Sequence, residues 1–154
     1  LKLINNTVNR LGLTNVEVEN FDASILDENS INKFDYVLAD VPCSGLGIIR
    51  RKPEIKYKSK AEIKDLPVLQ RKILENASKY VKVGGNLLYS TCTILDSENI
   101  EVINNFLKEN DNFELVPIDE VNVDLDNQEK GYLKIYPNIH GMDGFFIAKL
   151  KRVR

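Results

Sequence analysis

Apolar positions alternate between helical spacing and strand spacing along this 154-residue chain. Helical spacing predicts one helix that ends at Gly12, a longer one from Asp65 to Gly84, and a third that begins near Asp96. Apolar runs rich in β-branched and aromatic residues predict strands over 16–22, 36–41, 86–91, 113–116, 132–136 and 145–150. This order predicts an α/β fold with a mostly parallel sheet and an antiparallel hairpin at its edge.

Composition narrows the class of protein. Hydrophobic residues make up 43% and charged residues 29% of the chain, as in ordinary globular proteins, and the net charge is −2. No apolar run approaches the roughly 20 residues that span a bilayer, so we expect a cytoplasmic protein with no membrane partner. Two cysteines are too few for a disulfide framework, and no Cys-x-x-Cys pair or His–Glu cluster indicates a metal site.

The two cysteines occupy matching positions, each just after a predicted strand. Cys43 follows the strand at 36–41 through Pro42, and Cys92 follows the strand at 86–91. Ligands of open α/β sheets bind at the carboxyl ends of strands, so this placement predicts thiols that face a ligand. Two alternatives stay open: either cysteine could pack as a small hydrophobe, or the two could form a disulfide, which a cytosolic setting disfavours.

These motifs resemble the RNA cytosine-5 methyltransferase family, and within it the bacterial Sun/Fmu type that modifies small-subunit ribosomal RNA. The likeness is carried by residues 40–45 and 90–93, and extends over 45–56, 83–92 and 140–150. It covers nearly the whole chain. The resemblance implies an incomplete Rossmann-like sheet that uses S-adenosylmethionine as cofactor and ribosomal RNA as partner.

The resemblance also implies a role for each residue at the two strand ends. Cys92 would be the nucleophile that adds to carbon 6 of cytosine and so activates carbon 5. Cys43 would act in product release, and Asp40 would lie beside the target base and the methionine part of the cofactor. Pro42 stiffens that turn. Asp22 would contact the cofactor's adenine, although an aspartate there could simply cap a turn.

A basic segment borders the first cysteine motif. Residues 50–64 contain seven basic and two acidic residues. We expect RNA contacts from part of this segment, with phosphates bound by its cations and a base stacked on its tyrosine: Arg50, Arg51, Lys52, Lys56, Tyr57 and Lys58. The alternative is a solvated charged face.

Other parts of the family pattern have no counterpart in the chain. The Gly-rich cofactor loop, its nearby lysine and the acidic residue that holds the ribose are missing. We therefore expect residues 1–154 to be one partial catalytic domain of a longer enzyme, inactive alone, with a sheet edge that could pair with a second copy. Two other functions remain open: a non-catalytic RNA-binding or assembly module, and a different thiol enzyme with His140 as its base.

Overall fold

Helices and strands alternate along the chain in the computed structural model, which describes residues 1–119, 125 and 127–154. The helices are α1 (Lys2–Leu11), α2 (Lys60–Ile63), α3 (Leu66–Tyr80), α4 (Ile100–Glu109) and α5 (Pro137–His140). The strands are β1 (Phe34–Asp40), β2 (Val81–Thr91), β3 (Phe113–Leu115), β4 (Tyr132–Ile135) and β5 (Phe145–Arg152).

The strands form one mixed sheet in the order β1-β2-β5, with β3 and β4 both paired to the other side of β5. β1 and β2 are parallel, whereas β5 runs antiparallel to β2, β3 and β4. The predicted α/β class is confirmed, and so is the mixed sheet with its late antiparallel hairpin, β4–β5. Because β1 and β2 are parallel, their carboxyl ends lie at the same edge of the sheet.

Helices α3 and α4 pack against each other, and α3 also packs against β1 and β2. The inward face of α3 repeats Ile73, Leu74 and Ala77 at helical spacing, and all three are buried. They join a core of fully buried side chains from α4 and the central strands: Leu87, Tyr89, Ile103, Phe106, Phe146 and Leu150. This core supports β2 and, through its pairing with β2, the edge strand β1, and the ends of these two strands carry the cysteine motifs.

The strand predicted at 16–22 is wrong, because these residues form coil with Val16 and Phe21 exposed. A strand needs a hydrogen-bonded neighbour, and among the described strands β1 pairs only with β2. The α3–β2 boundary also differs from the prediction. Helix α3 ends at Tyr80 and β2 starts at once, so the glycine pair Gly84–Gly85 lies inside β2, at an irregularity in its pairing with β1.

Several apolar side chains remain exposed on α1 and β1. No residue of α1 is buried, and Leu3 is 82% exposed. On β1, Tyr36 and Leu38 are 75% and 66% exposed. Pairing of this edge with a second copy stays a prediction. No helix in the described part of the chain is both long and apolar enough to cross a membrane.

The position of the apolar core can be tested by replacing two leucines, one buried and one exposed, in the neighbouring strands β1 and β2. Leu87 is fully buried in β2, so Leu87→Ala should lower the free energy of unfolding by about 2–5 kcal/mol. Leu38→Ala on the exposed side of β1 is the matched control and should cost about 0.5 kcal/mol or less. Urea unfolding followed by circular dichroism measures both, and equal losses would contradict this description of the core.

Candidate active site

The two cysteine side chains meet at the carboxyl ends of β1 and β2. Asp40, the last residue of β1, lies opposite Ser90 in the parallel pairing, which brings the two following loops together. The sulfur atoms of Cys43 and Cys92 are 3.1 Å apart, and both side chains are partly exposed. A disulfide bond is about 2.05 Å long, so the two residues are free thiols within hydrogen-bond distance.

Cys43 holds its proton firmly. Burial, followed by the hydrogen bond and the charge of Cys92, raises the pKa of Cys43 to about 12. Cys43 therefore keeps its proton at neutral pH and can donate it in a hydrogen bond to the sulfur of Cys92.

Three buried polar residues hydrogen-bond to the residues that flank the cysteines: Gln70, Glu98 and Asn99. Sequence reasoning missed all three. One signal was available, because Gln70 lies on the buried stripe of α3 that Ile73 and Ala77 also occupy. A polar side chain on an apolar stripe usually has a specific hydrogen-bond partner.

A glycine contact joins the loop after Cys43 to two other parts of the site. The N–H of Gly47 donates to the carbonyl of Cys92 at 3.0 Å, and the N–H of Gly144 donates to the carbonyl of Gly47 at 2.8 Å. A Cβ on Gly47 would lie 2.1 Å from the carbonyl oxygen of Gly144. Only glycine allows this approach, which brings the turn before β5 against both cysteine loops.

The predicted cofactor residues Asp40 and Pro42 lie beside the thiols. The carboxylate of Asp40 is exposed and accepts a hydrogen bond from the hydroxyl of Ser90 at 2.7 Å. Pro42 is also exposed, and its carbonyl accepts a hydrogen bond from Gln70. An exposed carboxylate at a strand end can accept hydrogen bonds from a ligand, and contacts of Asp40 and Pro42 with a cofactor stay a prediction.

Asp22 lies in the coil before β1 and is exposed. Its Oδ1 accepts a hydrogen bond from the N–H of Ser24 at 2.9 Å. Hydrogen bonds from the Ser24 side chain and N–H hold the pKa of Asp22 below its ordinary value. Asn76 of α3 donates to the carbonyl of Ala23 at 3.0 Å and anchors this turn. The aspartate thus caps a turn, and its contact with a cofactor stays a prediction.

Three of the predicted RNA-binding residues form contacts within the site. Arg50 donates to the carbonyl of Gly141 at 2.9 Å, and Arg51 forms an ion pair with Asp143 at 2.6 Å. Lys58 donates to the carbonyl of Ser44 at 2.9 Å. These contacts join the basic segment to the turn before β5 and to the Cys43 loop.

The other three predicted RNA-binding residues are exposed: Lys52, Lys56 and Tyr57. Lys56 and Tyr57 belong to the short 3₁₀ turn Pro53–Tyr57. The Tyr57 ring is 78% exposed, and the ammonium of Lys56 lies 4.8 Å from its centroid. An exposed ring beside a cation suits stacking on a base, and RNA contacts of all six residues stay a prediction.

His140 is engaged within its own short helix. Its Nδ1 accepts a hydrogen bond from the N–H of Tyr136 at 2.9 Å, and its ring stacks on that tyrosine. This arrangement does not pair His140 with either cysteine. Among the described residues, no group of three or more His, Cys, Asp or Glu side chains could hold a metal ion.

Similarity to known proteins extends over nearly the whole chain. The family described as 16S rRNA methyltransferase RsmB/F matches residues 1–151. The chain belongs to this family. It is 40% identical to the probable ribosomal RNA small subunit methyltransferase B of Bacillus subtilis (strain 168), and 34% identical to ribosomal RNA small subunit methyltransferase F of Salmonella agona (strain SL483). Each comparison covers 99% of this chain but only 35% and 33% of the relative's length.

Solved structures agree with this membership. NSun6 from Pyrococcus horikoshii, crystallised with SFG, is 29% identical, with a TM-score of 0.84 over 99% of this chain and 38% of its own. A methyltransferase homolog protein from Pyrococcus horikoshii is 31% identical, with a TM-score of 0.77 over 98% of this chain and 49% of its own. The predicted family is therefore confirmed, and the chain spans about a third of the length of the curated relatives.

The raised pKa of Cys43 can be tested by alkylation. In a Cys92→Ser variant, Cys43 is the only cysteine of the chain, and burial, the largest cause of its raised pKa, remains. Its reaction with iodoacetamide should reach half its maximal rate at a pH well above the value of about 8.5 for a free cysteine. The same variant unfolded in urea is the control. A folded-state midpoint at the unfolded value would contradict the assignment.

Proposed function

We propose that the chain is the C-terminal part of the catalytic domain of an S-adenosylmethionine-dependent RNA cytosine-5 methyltransferase that acts on small-subunit ribosomal RNA. The substrate is supported by the relatives' names, and the cofactor by a neighbour solved with SFG, an S-adenosylmethionine analogue. One observation carries the chemistry: two thiols 3.1 Å apart, beside an exposed carboxylate, at the carboxyl ends of two parallel strands.

Cys92 is the nucleophile in this proposal. Its thiolate forms a bond to carbon 6 of cytosine, and the electron pair of the carbon 5–carbon 6 double bond moves into the ring and makes carbon 5 nucleophilic. The raised pKa of Cys43 keeps its thiol protonated. Cys43 can therefore donate a hydrogen bond to the attacking sulfur of Cys92 and does not compete with it for carbon 6. S-adenosylmethionine, when bound, supplies the methyl group that carbon 5 takes up.

Cys43 acts after the methyl group is in place. Carbon 5 then carries a proton that must leave before the bond between sulfur and carbon 6 can break. Two of the causes that raise the pKa of Cys43 come from Cys92, and both weaken once that sulfur is bonded to carbon. Cys43 therefore releases its own proton to solvent more readily at this stage, and the resulting thiolate takes the proton from carbon 5. The electron pair of the sulfur–carbon bond returns to Cys92, which restores the starting thiol and thiolate.

Asp40 and Pro42 form the part of the cofactor site nearest to the thiols. We assign Asp40 to the amino group of the methionine moiety and to the edge of the target base, because an exposed carboxylate can accept hydrogen bonds from both. Asp22 is assigned to the adenine end. Among the described residues we assign only these three to the cofactor, so we expect the chain to bind it weakly and to be inactive when isolated.

The division of roles between the cysteines gives opposite phenotypes in the full-length gene product. Cys92→Ala should abolish methyl transfer, because no sulfur can add to carbon 6. Cys43→Ala should still form the bond to RNA but release it slowly, so a covalent RNA–protein adduct should accumulate. Denaturing gel electrophoresis with labelled RNA measures the adduct.

The double variant Cys43→Ala/Cys92→Ala is the control for this experiment and should form no adduct. An adduct that persists in Cys92→Ala but disappears in Cys43→Ala would reverse the assignment. A wild-type protein that binds ribosomal RNA without methylating it would favour the non-catalytic RNA-binding module.

RNA binding should depend on Lys52 and Lys56 of the basic segment. Replacing Lys52 and Lys56 together by alanine should weaken binding and lower the slope of log K against log salt by roughly 1.4–1.8, because two phosphate contacts are lost. Lys108→Ala, at the exposed end of α4, is the control and should change neither quantity. Filter binding at several salt concentrations measures both, and an unchanged slope in the double variant would contradict this assignment.

A further inference from the structure

Two consecutive buried polar residues lie directly behind the cysteine loops. Only 1% of Glu98 and 2% of Asn99 is exposed, and both lie where the 3₁₀ turn Asp96–Glu98 leads into α4. A buried carboxylate or amide is unfavourable unless hydrogen bonds replace its contacts with water. The hydrogen-bond partners of these two residues therefore indicate their role.

Glu98 fixes the backbone on both sides of Cys43. Its Oε2 accepts hydrogen bonds from the N–H of Ser44 and from Nε2 of Gln70, each at 2.8 Å. The same nitrogen of Gln70 donates to the carbonyl of Pro42 at 3.0 Å. Pro42 and Ser44 are the two chain neighbours of Cys43, so this cysteine is held from both directions.

Asn99 does the same for Cys92. The hydroxyl of Thr91 donates to Oδ1 of Asn99 at 2.6 Å, and Nδ2 of Asn99 donates to the carbonyl of Thr93 at 3.0 Å. Thr91 and Thr93 are the two chain neighbours of Cys92. Each of the two adjacent buried residues thus fixes the neighbours of one cysteine.

The two halves of this arrangement are connected. The hydroxyl oxygens of Ser44 and Thr93 are 2.7 Å apart, and the Thr93 oxygen lies 3.5 Å from Oε1 of Glu98. The hydroxyl of Tyr89, in β2, donates to the carbonyl of Glu98 at 2.6 Å. A shift of one cysteine loop would therefore disturb hydrogen bonds of the other.

We infer that Glu98 and Asn99 are a positioning pair that sets the distance between the sulfurs of Cys43 and Cys92. Neither residue needs to touch RNA or the methyl donor in this role. The importance of the distance for methyl transfer rests on the proposed function, in which Cys43 stays protonated beside the attacking sulfur of Cys92 and later takes the proton of carbon 5 from the adduct of that sulfur. The distance itself is a property of the folded chain.

The sulfur spacing can be measured without methyl transfer, as the rate at which the two thiols close a disulfide. Diamide serves as the two-electron oxidant, and peptide mass spectrometry identifies the Cys43–Cys92 bond in the full-length gene product. Glu98→Ala removes the acceptor of Ser44 and Gln70 and should slow closure by about tenfold or more, because misplaced groups lose effective concentration.

Two variants control for the loss of the carboxylate. Glu98→Gln keeps an oxygen that can accept the bond from Ser44, so closure should stay within about twofold of the wild-type rate. Glu101→Ala removes an exposed glutamate one turn later in the chain and should have no effect. If Glu98→Ala does not fold, Thr91→Val tests the inference in its place, because it removes only the hydroxyl that donates to Asn99. This variant should slow disulfide closure by about fivefold.

A folded Glu98→Ala or Thr91→Val variant that closes the disulfide at the wild-type rate would overturn the inference. Methylation assays separate it from the proposed function. In an active enzyme, the slowed variants should lose kcat with an unchanged KM for S-adenosylmethionine. If the wild-type protein does not methylate RNA, the proposed function fails, and the disulfide rates still decide whether Glu98 and Asn99 set the spacing.

Discussion

Parallel pairing of β1 with β2 is the constraint on which the position of both sulfurs depends. Asp40 lies opposite Ser90 in the backbone pairing, and the hydroxyl of Ser90 donates to the carboxylate of Asp40 at 2.7 Å. A slip of one residue would turn every side chain of the slipped strand to the other face of the sheet. The contact between two sulfurs 49 positions apart in the sequence is thus a consequence of strand register.

Buried polar residues between the cysteine loops and the apolar core also fix the positions of those loops. Gln70 is fully buried, and its Oε1 has no protein hydrogen-bond partner among the described residues. Leaving such an acceptor unpaired costs about 1–3 kcal/mol. A leucine would fit the apolar stripe of α3 without that cost, but it could not donate to Pro42 and Glu98. The polar residue is therefore explained by the loop geometry that it supports and not by core stability.

The sequence predicted those features that depend on local pattern or on a strand end. Apolar runs rich in β-branched and aromatic residues predicted β1 and the end of β2, and the shared edge of parallel strands brought Cys43 and Cys92 together. The strand predicted at 16–22 failed because alternation reports two faces but not whether a neighbour is present to pair. Glu98 and Asn99 were missed because their role depends on hydrogen bonds to loops far away in the sequence, which no spacing rule encodes.

The raised pKa of Cys43 could not be predicted from sequence either, because its causes are properties of the fold. Burial is the largest of them. At 3.1 Å, a charge on the sulfur of Cys92 opposes ionisation of Cys43, and this interaction adds to burial in raising the pKa of Cys43. Because the interaction of charges weakens with separation, this part of the shift depends on the strand register and on the hydrogen bonds that hold each loop. The protonation of Cys43 at neutral pH therefore follows in part from backbone geometry.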